Sequence, residues 1–185
     1  DASVKCWGRN DYGQLGQGAA GHHGDAVDEM GNNLPSVALG TGRTAVAVIA
    51  GYAHTCALLD DATVKCWGYG LQGRLGVGDA SNRGDSPNEM GDKLPPVDLG
   101  VNVTAVSISV GTGHTCARLG DGTIKCWGYN EYGQLGYSDS KHRGASSTEM
   151  GMGLPAIDLG AGRKVVSVSA GEFNTCALLD DATLK

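Results

Sequence analysis

Six cysteines fall at only two kinds of place in this chain. Cys6, Cys66 and Cys126 each precede a tryptophan, and Cys56, Cys116 and Cys176 each follow a threonine. Thiols at recurring positions can form disulfides, hold zinc, or pack reduced as small buried hydrophobes. Between Cys56 and Cys66 the residues read as a β-hairpin: His54-Thr55-Cys56-Ala57-Leu58-Leu59, a turn around Asp60-Asp61-Ala62, then Thr63-Val64-Lys65-Cys66-Trp67-Gly68. The counterpart turn, Gly120-Asp121-Gly122, carries residues that tolerate positive φ. A hairpin symmetric about residue 61 sets Cys56 directly across from Cys66, where Cβ atoms sit about 4.5–5.5 Å apart and a disulfide can close. The expected bonds are Cys56–Cys66 and Cys116–Cys126, each constraining the unfolded chain by about 2–3 kcal/mol in the entropic account. Paired cysteines in turn imply an oxidising compartment, outside the cell or at its surface. Reduced, buried thiols are the plain alternative. Zinc needs four convergent ligands, and each copy offers two cysteines with no consistent histidine.

Other residues invite chemistry more weakly. His54 and His114 are equivalent, but the third copy has Asn174, which points to structural hydrogen bonding rather than metal or catalysis. Trp7, Trp67 and Trp127 occur once per copy, as packing between repeats would require, whereas ultraviolet sensing needs clustered indoles. Arg83-Gly84-Asp85 reads like an adhesion motif, yet its counterparts His23-Gly24-Asp25 and Arg143-Gly144-Ala145 make it drift within a repeat. Asp25, Glu29, Asp85 and Glu89 could offer oxygens to Ca²⁺, but Ala145 breaks the set and a solvated loop is the expectation. Asn102-Val103-Thr104 is a glycan acceptor sequence at Asn102, and Asn174-Thr175-Cys176 is its rarer form. No nucleophile with a base, no paired carboxylates and no phosphate-cradling loop recurs, so neither an enzyme nor a bound cofactor is expected.

These residues are positioned by a repeat. The chain copies itself with a period of 60 residues over 1–60, 61–120 and 121–180, and 181–185 begins a fourth copy. Such periodicity means one supersecondary unit that buries its apolar faces only against its neighbours. With 31 glycines at fixed places and a single Phe, the unit is built of short strands and tight turns, not helices. The spacing predicts a first strand at 44–50, 104–110 and 164–170, then the hairpin. A glycine-rich connection through Gly13-Gln14-Leu15-Gly16 and its counterparts leads to a fourth short strand, Val97-Asp98-Leu99. Four antiparallel strands repeated radially make a propeller blade. A formal charge of −6, with 14 basic residues scattered among 20 acidic ones, argues against nucleic acid and anionic membrane. No apolar run reaches the ~18 residues of a membrane span.

The strings Gly51-x-x-His54-Thr55-Cys56-Ala57-Leu58, Asp121-Gly122-Thr123-Ile124-Lys125-Cys126-Trp127-Gly128 and Tyr132-Gly133-Gln134-Leu135-Gly136 resemble repeats of the regulator of chromosome condensation 1 (RCC1-like) family. The connection Glu89-Met90-Gly91 to Leu94-Pro95 is similar to a cysteine-bearing variety in secreted or surface proteins of bacteria and algae. This resemblance implies an all-β fold of propeller blades and no single activity: members include a small-GTPase exchange factor, ubiquitin ligases, an ultraviolet receptor and a secreted β-lactamase inhibitor. The expected division is a half blade at 1–43, blades at 44–103 and 104–163, and a half blade at 164–185. Three copies are few for a closed ring. The expectation is therefore a segment of a longer array, a non-enzymatic extracellular module that binds protein. Two alternatives stand beside it: a ring or filament in which one chain's tail completes a blade with the next chain's head through Cys6 and Cys176, and a regulatory propeller of the exchange-factor kind.

Overall fold

The computed structural model describes residues 3–185. Strand β1 (Ala45–Ala50) alternates half-buried and exposed side chains, as a strand with one covered face must. Strands β2 (His54–Leu59) and β3 (Val64–Gly68) are buried on both faces. They pair antiparallel in the order β1-β2-β3, with Ile49 opposite Cys56 and Cys56 opposite Cys66. Strands β4 (Ala105–Val110), β5 (His114–Leu119) and β6 (Ile124–Gly128) repeat the sheet in the same register. Strands β7 (Val165–Ala170) and β8 (Thr175–Leu179) repeat its first two members. A third member begins there as well, since Leu184 bridges Leu178 and Lys185 exchanges two backbone bonds with Ala177. First strands start one residue later than expected and carry a bulge near their start, between Ala45 and Ala47 in β1.

The fourth segment differs from its expectation. Val97–Leu99 runs beside β3 but shares with it one backbone bond, Val97 N to Val64 O at 2.7 Å, and no ladder. Pro95 and Pro96 have no N–H to extend the pairing, and the Asp98 carboxylate accepts from Gly100 N. Val97 and Leu99 nevertheless point into the core, so the segment keeps the alternation of a strand without its hydrogen bonds.

Apolar residues gather between sheets. One cluster joins Val4, Val37 and Leu39 to Ala57, Leu59 and Trp67; another joins Leu58 and Val64 to Val110 and Trp127; a third joins Ile124 and Leu135 to Val165 and Ala177. Each sheet is thus stabilised by its neighbours, as in a stack of blades. The turns between first and second strands press together closely enough that a side chain at Gly51 would meet the Gly111 carbonyl at 2.6 Å. Sheet β7–β8 touches β4 and β5, and β1 touches β4, so the blades follow one another in chain order. Among the described residues no helix is long and apolar enough to cross a membrane.

Candidate functional site

Between successive blades the same small group of atoms recurs. The indole of Trp67 donates to the Gln14 carbonyl at 3.0 Å, and Thr55 Oγ1 donates to that same oxygen at 2.9 Å. One repeat later Trp127 and Thr115 both donate to the Arg74 carbonyl at 3.1 Å. Because the Thr115 hydroxyl proton is committed to that carbonyl, its oxygen accepts from His54 Nε2 at 2.9 Å. His114 makes the matching bond to Thr175. The chain histidine, threonine, carbonyl, indole therefore fixes each blade against the next and sets the Nε2–H tautomer. Nδ1 of both histidines is left buried without a partner. Burial holds the two imidazoles neutral, His54 down to about 3 with the Arg74 and His114 charges adding, and His114 down to about 4.

A lysine clamps the opposite side of the interface. Lys65 Nζ donates to Leu39 O of the preceding repeat at 2.9 Å and to Gly91 O of its own at 2.8 Å. Lys125 does the same with Leu99 O and Gly151 O. Both amines are pushed below their ordinary value by burial.

The same residue types recur in the first and last copies in other surroundings. Trp7 occupies the place of Trp67 and Trp127, yet it is 62% exposed where they are 0%. Lys5 makes the bond within its own repeat, to Gly31 O at 2.7 Å, and lies exposed. At the far end Thr175 donates to Gln134 O at 2.8 Å, as Thr55 and Thr115 do to their carbonyls. Beside Thr175 lies a cavity of about 270 Å³ whose lining includes Leu135, Gly136, Ile157, Leu159, Ala177 and Lys185. Gln134 Nε2 is buried nearby with no partner.

Cys56 is bonded to Cys66 and Cys116 to Cys126, each pair with Cα atoms 4.1 Å apart. Cys6 and Cys176 are free thiols, half-buried at the two ends, and burial pushes the Cys6 thiol up. Asn174 is exposed and takes no part in the relay that His54 and His114 enter. Arg83 is tied to Asp79, and Gly84 N donates to Glu89, so Arg83-Gly84-Asp85 is held in the connection and is not a free tip. The carboxylates weighed for Ca²⁺ bind their own loop instead. Glu29 Oε2 accepts the backbone N–H groups of Gly24, Asp25 and Ala26, which holds its carboxyl below the usual range, and Glu149 repeats the arrangement. Asn102 lies exposed in a turn.

Three roles were not read from the sequence: the threonine, the lysine clamp and the buried Asn10 and Asn130, whose side chains bracket the glycine-rich connection. Thr55, Thr115 and Thr175, and Lys5, Lys65, Lys125 and Lys185, are identical in every copy, and that identity was the available signal.

Comparison with known proteins agrees with this architecture. One model of the regulator of chromosome condensation (RCC1) repeat matches residues 1–58 and 121–178, and a second of the same description matches 45–74 and 105–134. The E3 ubiquitin-protein ligase HERC2 of Homo sapiens is 27% identical over 176 residues, which is 95% of this chain and 3% of that protein. The ultraviolet-B receptor UVR8 of Arabidopsis thaliana is 31% identical over 141 residues, 75% of this chain and 28% of the receptor. Among solved structures, human WBSCR16 superposes with a TM-score of 0.64 at 18% identity, covering 96% of this chain and 40% of that one. Prp20p from Saccharomyces cerevisiae, described with its binding properties to Gsp1p and histones, gives the same score and identity over 92% of this chain and 38% of its own. The chain spans less than a third of these curated relatives.

Proposed function

This chain belongs to the RCC1 repeat family, and on that premise we propose that it is a non-enzymatic module that engages protein through the loops its blades present. The observation that carries the reading is a fixed frame with variable loops: the same indole and lysine bonds recur at each internal junction, while Ala19–His23, Asp79–Arg83 and Asp139–Arg143 differ from copy to copy. A protein partner also accords with the Gsp1p and histone binding named for the Prp20p structure. The ligase and photoreceptor names belong to relatives of which this chain matches 3% and 28%.

The module belongs outside the cell or on its surface in this reading. Two in-register disulfides support it, because such bonds persist in oxidising compartments. Asn102 is then an accessible glycan acceptor if the source is a eukaryote. Mapping of cysteine pairs on native material by mass, with and without reduction, tests the compartment. Bonds 56–66 and 116–126 support it, and six reactive thiols overturn it in favour of an intracellular regulatory propeller.

A further inference from the structure

We propose that Arg74 and Gly113 are a matched pair that fixes which blade follows which, so that the variable loops are presented in one order. A binding face built from variable loops has an identity only if the blades cannot exchange places. The frame bonds do not supply that order. Indole, threonine and lysine bonds are the same at each internal junction. So are the close approaches of glycine: a side chain at Gly13 would meet Asp85 N at 2.2 Å, and one at Gly73 would meet Ala145 N at 2.2 Å. Faces this alike let one blade dock where another belongs, and misdocking and swapping between chains are the usual failures of repeat proteins.

One place differs between the junctions. The residue whose carbonyl receives the indole is Gln14 at the first and Arg74 at the second. The Gln14 side chain turns back to accept from Tyr12 N at 3.0 Å, and Gln134 does the same with Tyr132 N. Arg74 has no acceptor to offer its own loop. Its guanidinium lies 4.7 Å from the Tyr69 ring centroid and donates to Leu71 O at 2.9 Å and Gln72 Oε1 at 2.8 Å. It also reaches across the junction, to Thr112 O at 3.4 Å in the turn between β4 and β5. Arg74 is 6% exposed, and among the described residues it forms no ion pair.

Beside this guanidinium stands Gly113, whose counterparts are Ala53 and Phe173. A Cβ at 113 would lie 3.6 Å from Arg74 Nη2 and 3.1 Å from Tyr129 Cβ, so a longer side chain takes the space that the guanidinium fills. The longest residue of one set thus faces the residue of the other set that has no side chain. A blade with phenylalanine at this place would push a buried charge off its carbonyls, which is costly, whereas a neutral glutamine can withdraw into its own loop. Register and partner choice are the best-attested uses of a buried charge.

A double-mutant cycle tests the pair. Gly113→Phe installs the residue of the third copy, and Arg74→Gln installs the residue of the other two. Gly113→Phe should lower the urea midpoint, and in the Arg74→Gln background the same change should lower it by less than about half as much. Gly113→Val carries the cycle at smaller volume if the phenylalanine chain folds in neither background. Order is read separately, by sedimentation after refolding at rising concentration with the blade disulfides intact. Arg74→Gln should give at least about twofold more swapped dimer than the parent. Additive losses in the cycle overturn the pairing. Coupled losses with an unchanged yield of dimer overturn the ordering role and leave Arg74 as packing alone.

Discussion

A histidine that is buried uncharged makes acid a denaturant. Outside such a site an imidazole takes its proton near 6.5, whereas His54 is held down to about 3 and His114 to about 4. Above about pH 6.5 neither folded nor unfolded chain binds the proton, and the contribution is complete. As pH falls below that, the unfolded chain takes up protons that the folded one refuses, and stability drops by about 1.4 kcal/mol per pH unit for each histidine. The loss ends where the folded imidazoles titrate, near 4 and near 3. The carboxylates held low by their hydrogen bonds, Glu29 and Asp61 among them, add their own loss only at the acid end. His114→Asn, the residue the third copy carries at 174, should therefore reduce the slope of urea midpoint against pH between about 6 and 4.5 by roughly half. An unchanged slope would refute the account of the relay. The tryptophans make a second comparison, since the same residue type stands in two environments. Trp127→Ala should cost about 3–5 kcal/mol, and Trp7→Ala in the monomer less than about 0.5; equal losses in denaturant titrations would mean that Trp7 is packed after all.

Within one blade the hairpin is the element whose register the sequence made legible. Its loop is a tight turn that ends in a left-handed residue, with Ala62 N bonded to Leu59 O and Leu59 N to Thr63 O. The left-handed position is filled by Ala62 at φ 64°, Gly122 at φ 87° and Ala182 at φ 64°. An alanine there carries a steric penalty that glycine avoids, so Ala62→Gly should raise stability by about 0.5–1 kcal/mol despite its entropy cost. A lower melting temperature would show that the turn is set by its neighbours and not by local sterics. Removing the staple across the same hairpin, with Cys56 and Cys66 both changed to Ser, should cost about 2–3 kcal/mol, and equilibrium unfolding that matches the parent would discount the bond as a stabiliser. The fourth segment was legible only as apolar alternation, because Pro95, Pro96 and the Asp98 cap deny it a ladder. The tryptophan socket was less legible still. Its acceptor is a backbone carbonyl carried by Gln14, Arg74 and Gln134 in turn, so no side-chain pattern announces it. Glu29 and Glu89 looked like solvated loop charges for a similar reason: their partners are amide N–H groups, which every loop possesses.

Across the whole molecule, stability is a sum over blades and the junctions between them, and so it need not be uniform. Strand β5 is the centre of a three-stranded sheet with a sheet on either side, and its residues are nearly all buried. Strand β8 lies in the sheet of two strands, bridged by Leu184 and bonded to Lys185. Opening β8 exposes little apolar area and breaks few junction bonds; opening β5 breaks two junctions at once. In dilute solution, amide hydrogen exchange should accordingly be slowest in β5 and β2 and faster in β8, with a difference of about 2 kcal/mol or more in opening free energy. Uniform protection would mean that the chain unfolds only as one unit.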